Sequence, residues 1–107
     1  MTDFNAVQPA PEHLRAARAA LEGALLDDTM NTYDFAALSE ALGELTELYP
    51  FQTPNPDPES RRTFRAGLTE ALAALASAAE AAKTPGERIR IGLIRRGLHD
   101  ALACHRP

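Results

Sequence analysis

Apolar residues recur every three or four positions in four separate stretches of the chain. The four sets are Leu14, Ala17, Leu21, Ala24 and Leu25; Phe35, Leu38, Leu42, Leu45 and Tyr49; Phe64, Leu68, Ala71, Leu72, Leu75 and Ala79; and Ile91, Ile94, Leu98 and Leu102. Residues at this spacing share one face of an α-helix, because the helix has about 3.6 residues per turn. The pattern therefore predicts four amphipathic helices, over about 10–27, 32–49, 58–83 and 85–104.

Residues that favour helix starts precede three of these stretches. Proline suits the first turn of a helix, and Pro9 or Pro11 stands where the first helix begins. Asn31 or Thr32 can cap the second helix, since their short polar side chains accept bonds from free backbone N–H groups. Residues 84–87 have the sequence Thr-Pro-Gly-Glu, which predicts a capping box for the fourth helix.

Acidic residues and prolines mark the remaining boundaries. Asp27 and Asp28 are unfavourable at the negative end of a helix dipole, so the first helix is expected to end there. Pro50 ends the second helix, and Asp57 is expected to cap the third. Residues 50–58 contain four prolines and are predicted to form a stiff connection.

The fold class predicted from these elements is all-α. We expect residues 1–107 to form a single helical domain, with residues 1–8 as a flexible N-terminal arm. Short connections favour an antiparallel up-down-up-down four-helix bundle. One alternative concerns residues 89–93, where apolar residues alternate with Arg90 and Gly92 as in a strand. The cap before this segment and the spacing after it favour a helix.

Composition supports this class. Apolar residues make up 45% of the 107 residues and charged residues 24%, which is ordinary for a globular protein. Alanine, leucine, glutamate and arginine are strong helix formers and dominate the chain, while valine and isoleucine are scarce. The alanine-rich composition is typical of a GC-rich bacterial genome. The single cysteine, Cys104, and the lack of a signal-peptide or membrane-spanning pattern favour a cytoplasmic protein.

Catalytic and metal-binding patterns are not found in the sequence. No histidine follows a glutamate at the spacing that di-iron bundles use. Cys104 and His105 lie near the end of the chain and are expected to form an exposed tail. The glycines do not form a phosphate-binding loop. We therefore expect a protein that is not an enzyme and holds no metal and no cofactor.

Charge is distributed unevenly along the chain. Residues 1–84 carry six Lys and Arg against 13 Asp and Glu, whereas residues 85–107 carry five Arg against two acids. On a helical wheel, the last helix places Arg88, Arg95 and His99 beside its core stripe. Ile89 and Leu93 fall on a face directed away from the core.

The last helix is therefore the candidate functional element. Its predicted interface residues are Arg88, Ile89, Arg90, Leu93, Arg95, Arg96 and His99. One interpretation is intramolecular, with the arginines paired to the acidic helices. The second, which we favour for function, is a docking surface for a protein partner or a second copy, in a regulator, adaptor or assembly subunit. The third is a nucleic-acid-binding regulator. An enzyme or small-ligand carrier with a site between helices ranks last, and no membrane association is expected.

Overall fold

The computed structural model describes residues 9–48 and 61–105, with side chains from residue 12 onward. These residues form four α-helices: α1 (Pro9–Ala24), α2 (Thr32–Leu48), α3 (Phe64–Ala81) and α4 (Pro85–Cys104). The prediction of an all-α fold with four helices is confirmed. The predicted arm over 1–8, the proline-rich connection over 50–58 and Tyr49 lie outside the described residues. No helix in the described part of the chain is long and apolar enough to cross a membrane.

α4 has the predicted bounds and α2 the predicted start. The Thr84 side chain accepts a hydrogen bond from the Glu87 N–H at 3.1 Å, as the capping box requires. The strand alternative for residues 89–93 is therefore wrong. Asn31 caps α2, since its Oδ1 accepts the Asp34 N–H at 2.8 Å.

Two predicted boundaries are wrong. α1 ends at Ala24 and not near Asp27, because the chain tightens into a turn in which the Asp27 N–H donates to the Ala24 carbonyl at 3.0 Å. α3 begins at Phe64 and not near residue 58, since the described residues before it, 61–63, are not helical. Thr63 is its cap, accepting from the Ala66 N–H at 3.1 Å.

The core is built from one stripe of each helix. Its buried apolar residues are Leu14, Ala17, Ala20, Leu21, Ala24, Leu38, Ala41, Leu45, Phe64, Leu68, Ala71, Leu75, Ala78, Ala82, Ile91, Ile94 and Leu98. Most of the predicted stripe residues are among them. Phe35 is an exception, being 53% exposed, while its neighbour Asp34 is buried at 5% exposure. α2 therefore presents a different edge to the core than its apolar spacing suggested.

The contacts at the helix ends give the direction of each helix. The Phe64 N–H at the start of α3 donates to Asp27, just after α1, at 2.7 Å. His105, just after α4, lies 2.9 Å from Asp34 in the first turn of α2. The ends of α1 and α4 and the starts of α2 and α3 therefore meet at one end of the bundle, which we call the polar end.

The resulting order of directions is up-down-down-up, which replaces the predicted up-down-up-down order. α1 packs along α3, α3 along α4 and α4 along α2, and the first two contacts are the most extensive. In each of these pairs the two helices run antiparallel. Leu48 and Phe64 lie at opposite ends of the bundle. The 15 residues between them could span up to about 50 Å, which exceeds the length of the helices.

Candidate interaction surface

The outer face of α4 carries two exposed apolar side chains. Ile89 is 63% exposed and Leu93 is 62% exposed, while Ile91 and Ile94 are buried. Successive residues of a helix are about 100° apart, so Leu93 lies about 160° round from Ile91 and points away from the core. The predicted separation of α4 into a core stripe and an outward apolar face is thus present in the structure.

An open groove runs between α2 and α4 beside these residues. Its two adjoining depressions have volumes of about 200 and 320 Å³. The lining residues are Ala37, Glu40, Ala41, Glu44 and Glu47 of α2 and Arg90, Leu93, Ile94, Gly97 and Leu98 of α4. We call this surface, together with Ile89, the α2/α4 face. Six of the ten lining residues are apolar or glycine, and the other four are charged.

The two sides of the groove have opposite charge. On the α2 side, Glu40, Glu44 and Glu47 are exposed. On the α4 side, Arg90 lines the same depression as two of these glutamates. Within residues 9–48 and 61–105, none of these four side chains forms an ion pair. The α2/α4 face therefore combines an acidic edge and a basic edge, neither of which is neutralised by a close contact.

A second group of the predicted residues lies on α4 outside the groove. Arg95, Arg96 and His99, with Gly92 and Asp100, line a shallow depression of about 380 Å³. The Nε of Arg95 is buried and has no hydrogen-bond partner in the described part of the chain. A buried donor without a partner is unfavourable.

Arg88 also belongs to this side of α4, where its Nε donates to the Ala79 carbonyl of α3 at 3.2 Å. The seven predicted residues are thus divided between two surfaces. Arg90 and Leu93 line the groove, and Ile89 is exposed one turn before Leu93. Arg95, Arg96 and His99 line the other depression, and Arg88 contacts α3. The ion pairs required by the intramolecular interpretation are not formed by any α4 arginine in the described residues.

The polar end contains a buried pair that sequence reasoning missed. His105 Nδ1 lies 2.9 Å from Asp34 Oδ2, and the two side chains are 11% and 6% exposed. The His105 ring also lies against Phe64, with 4.7 Å between ring centroids. The expectation of an exposed tail is therefore wrong for His105, whereas Cys104 is exposed as predicted.

Asp27 completes the polar end. Hydrogen bonds from the Thr29 hydroxyl, the Thr29 N–H and the Phe64 N–H hold the pKa of this carboxyl below its ordinary value. Partial desolvation acts in the opposite direction, and the nearby His105 adds a small lowering. Asp27 therefore stays ionised and fastens the α1–α2 turn to the start of α3.

The polar end resembles part of a catalytic triad only in its histidine–carboxylate pair. Such a pair activates a nucleophile when the other ring nitrogen meets a hydroxyl or thiol. No described serine, threonine or cysteine makes that hydrogen bond to His105. The described residues also contain no group of three or more His, Cys, Asp or Glu side chains arranged to hold a metal ion. The pair acts as a tie between helix ends.

Comparison with protein-family models, with curated proteins and with solved structures gives no match to this chain.

Proposed function

We propose that this chain is a small helical protein that acts through protein–protein contacts, as a regulator, adaptor or assembly subunit. Its contact surface in this proposal is the α2/α4 face. The observation that carries the proposal is the exposure of Ile89 and Leu93, at 63% and 62%, beside an open apolar groove. Scattered surface apolar residues are common, but a neighbouring pair rimmed by arginine is typical of the centre of an interface.

The partner that the face fits best is a second copy of the chain. The face has an acidic edge on α2 and a basic, apolar edge on α4, so it can complement itself in a two-fold dimer. Two helices of this length side by side cover roughly 600 Å² in projection. That is close to the ~800 Å² that each partner buries in an interface of standard size.

Light scattering coupled to size-exclusion chromatography tests the proposal. At tens of micromolar we expect a particle of twice the chain mass of 11.6 kDa. Ile89→Glu and Leu93→Glu each place a charge in the apolar centre of the interface and should give the monomer. Phe35→Glu is the matched control, since Phe35 is 53% exposed but lies about 160° round α2 from Ala37. A wild-type chain that is strictly monomeric would show the proposed self-association to be wrong.

Nucleic-acid binding is the second candidate function. It is favoured by the cluster of Arg95, Arg96 and His99 around one depression and by the unpartnered Nε of Arg95. The overall charge of −4 and the presence of Asp100 in the same depression weigh against it. Duplex DNA binding at about 50 mM salt that falls as salt is raised would support this candidate. Binding that is unchanged in an Arg95→Glu, Arg96→Glu double variant would contradict it.

We also propose a bacterial, cytoplasmic setting. The chain has one cysteine, Cys104, whose thiol is exposed and free, and proteins of oxidising compartments more often pair their cysteines. The alanine-rich composition supports a bacterial source. Fractionation of the source cells, with the chain detected by antibody, tests the compartment.

A further inference from the structure

We infer that the second copy docks about a two-fold axis parallel to the helices, so that Arg90 of each copy faces Glu44 and Glu47 of the other. The inference rests on the proposed self-association and specifies its geometry. The register of α2 against α4 places the charged residues of the groove. Arg90 and Leu93 share a depression with the two glutamates, so these four residues lie at one level of the bundle.

A two-fold axis that relates two copies lies in the plane of their interface. An axis parallel to the helices places α4 of one copy over α2 of the other and leaves every residue at its own level. Arg90 then faces the glutamates of the other copy at that level. An axis perpendicular to the helices instead places α2 over α2 and α4 over α4, which brings Glu40 and Glu44 against acidic residues. Like charges that face each other across an interface are unfavourable, so the parallel axis is preferred.

The apolar residues agree with the parallel axis. It carries Leu93 of each copy over α2 of the other, beside the depression that Leu93 and Ala41 both line, and the short side chain of Ala41 leaves that depression open. Gly97, which has no side chain, also lines this depression, and the space where its Cβ would lie is open to 4 Å. A leucine side chain from a second copy can therefore enter the groove, and its burial supplies the apolar part of the contact.

Charge reversal in two separate chains tests this geometry. The first variant is Arg90→Glu, and the second is Glu44→Arg with Glu47→Arg. Each variant alone brings like charges together twice in its own homodimer, and we expect its dissociation constant to rise by about tenfold or more. An equimolar mixture should form a heterodimer with nearly wild-type affinity, since both reciprocal contacts are again between opposite charges. Native mass spectrometry separates the heterodimer from both homodimers.

Arg65→Glu is the matched control, because Arg65 is exposed on α3, outside the α2/α4 face. Circular dichroism and thermal unfolding of each variant confirm that it is folded. If the charge reversals leave dimerisation unchanged while Leu93→Glu abolishes it, the proposed function stands and the axis is wrong. If the folded variants weaken dimerisation but mixing does not restore it, the reciprocal pairing is wrong. A monomeric wild-type chain overturns both proposals.

Discussion

The contact between α1 and α3 and the contact between α2 and α4 use similar short residues with opposite results. In the α1/α3 contact the helices are so close that a Cβ added to Gly67 would lie 2.6 Å from the Ala24 Cβ and 2.9 Å from the Ala20 carbonyl oxygen. In the α2/α4 contact, a Cβ added to Gly97 meets nothing within 4 Å. The first pair is in backbone contact at Gly67, and the second leaves a groove beside Gly97.

The difference shows that short side chains bring helices together only when both helices supply them at the same level. Ala20 and Ala24 meet Gly67 at one level, and the backbones approach until they touch. At the α2/α4 groove, the short side chain of Ala41 lines the same depression as the larger Leu93, Ile94 and Leu98, and the two helices do not close over it. The α1/α3 contact consequently contributes to stability, and the α2/α4 groove is the surface that we propose for binding.

The largest expected difference between the two regions comes from one substitution made in each. Leu21→Ala in α1 removes a side chain that is 0% exposed, and it should lower the free energy of unfolding by about 2–5 kcal/mol. Leu93→Ala in α4 removes one that is 62% exposed, and it should change this free energy by less than about 0.5 kcal/mol. Urea denaturation at a concentration where the chain is monomeric measures both. Equal losses would contradict the distinction between a closed and an open contact.

The four helices could be predicted from the sequence because local signals agree with the apolar spacing. The capping residues at 84–87 define the start of α4, and Asn31 caps the start of α2. The division of α4 into a buried and an exposed apolar face was also predictable, since helical geometry alone separates Ile91 from Leu93. These features depend on residues that are close together in the sequence.

The order of directions and the polar end could not be predicted, because they depend on contacts between distant residues. Asp34 and His105 are 71 positions apart, and only the tertiary fold brings them together. Without that partner, a histidine near the chain end reads as exposed and an aspartate in a helix as solvated. Phe35 was assigned to the core for the same reason, since spacing alone does not show that the buried edge of α2 includes Asp34.

The next prediction concerns the polar tie that closes one end of the α2/α4 contact. His105→Ala leaves the carboxylate of Asp34, which is 5% exposed, without its partner at 2.9 Å. A buried polar group that loses its hydrogen bond costs about 1–3 kcal/mol, and more when it is charged, so we expect the free energy of unfolding to fall by about that amount or more. His99→Ala is the control, since His99 is exposed and should have little effect. Urea denaturation again provides the measurement.

A second variant separates the hydrogen bond from the packing of His105 on Phe64. Adding Asp34→Ala to His105→Ala removes the stranded carboxylate, so part of the lost stability should return. If Asp34→Ala lowers the free energy of unfolding by the same amount in the His105→Ala variant as in the wild type, the two residues act independently. In that case the tie proposed between the ends of α2 and α4 does not exist.

The smallest expected effects come from alanine at the two glycines that define the comparison. Gly67→Ala places a methyl group 2.6 Å from the Ala24 Cβ, and α1 and α3 must separate to accept it. Overpacking of this kind costs about 1–3 kcal/mol, and the better helix propensity of alanine recovers at most about 1 kcal/mol. We therefore expect a net loss of stability.

Gly97→Ala meets open space, so only the gain in helix propensity of roughly 0.5–1 kcal/mol remains, and the midpoint temperature of thermal unfolding should rise. Opposite signs at two helical glycines would show that the neighbouring helix determines the effect, and a gain at both would mean that the α1/α3 contact is looser than its geometry indicates.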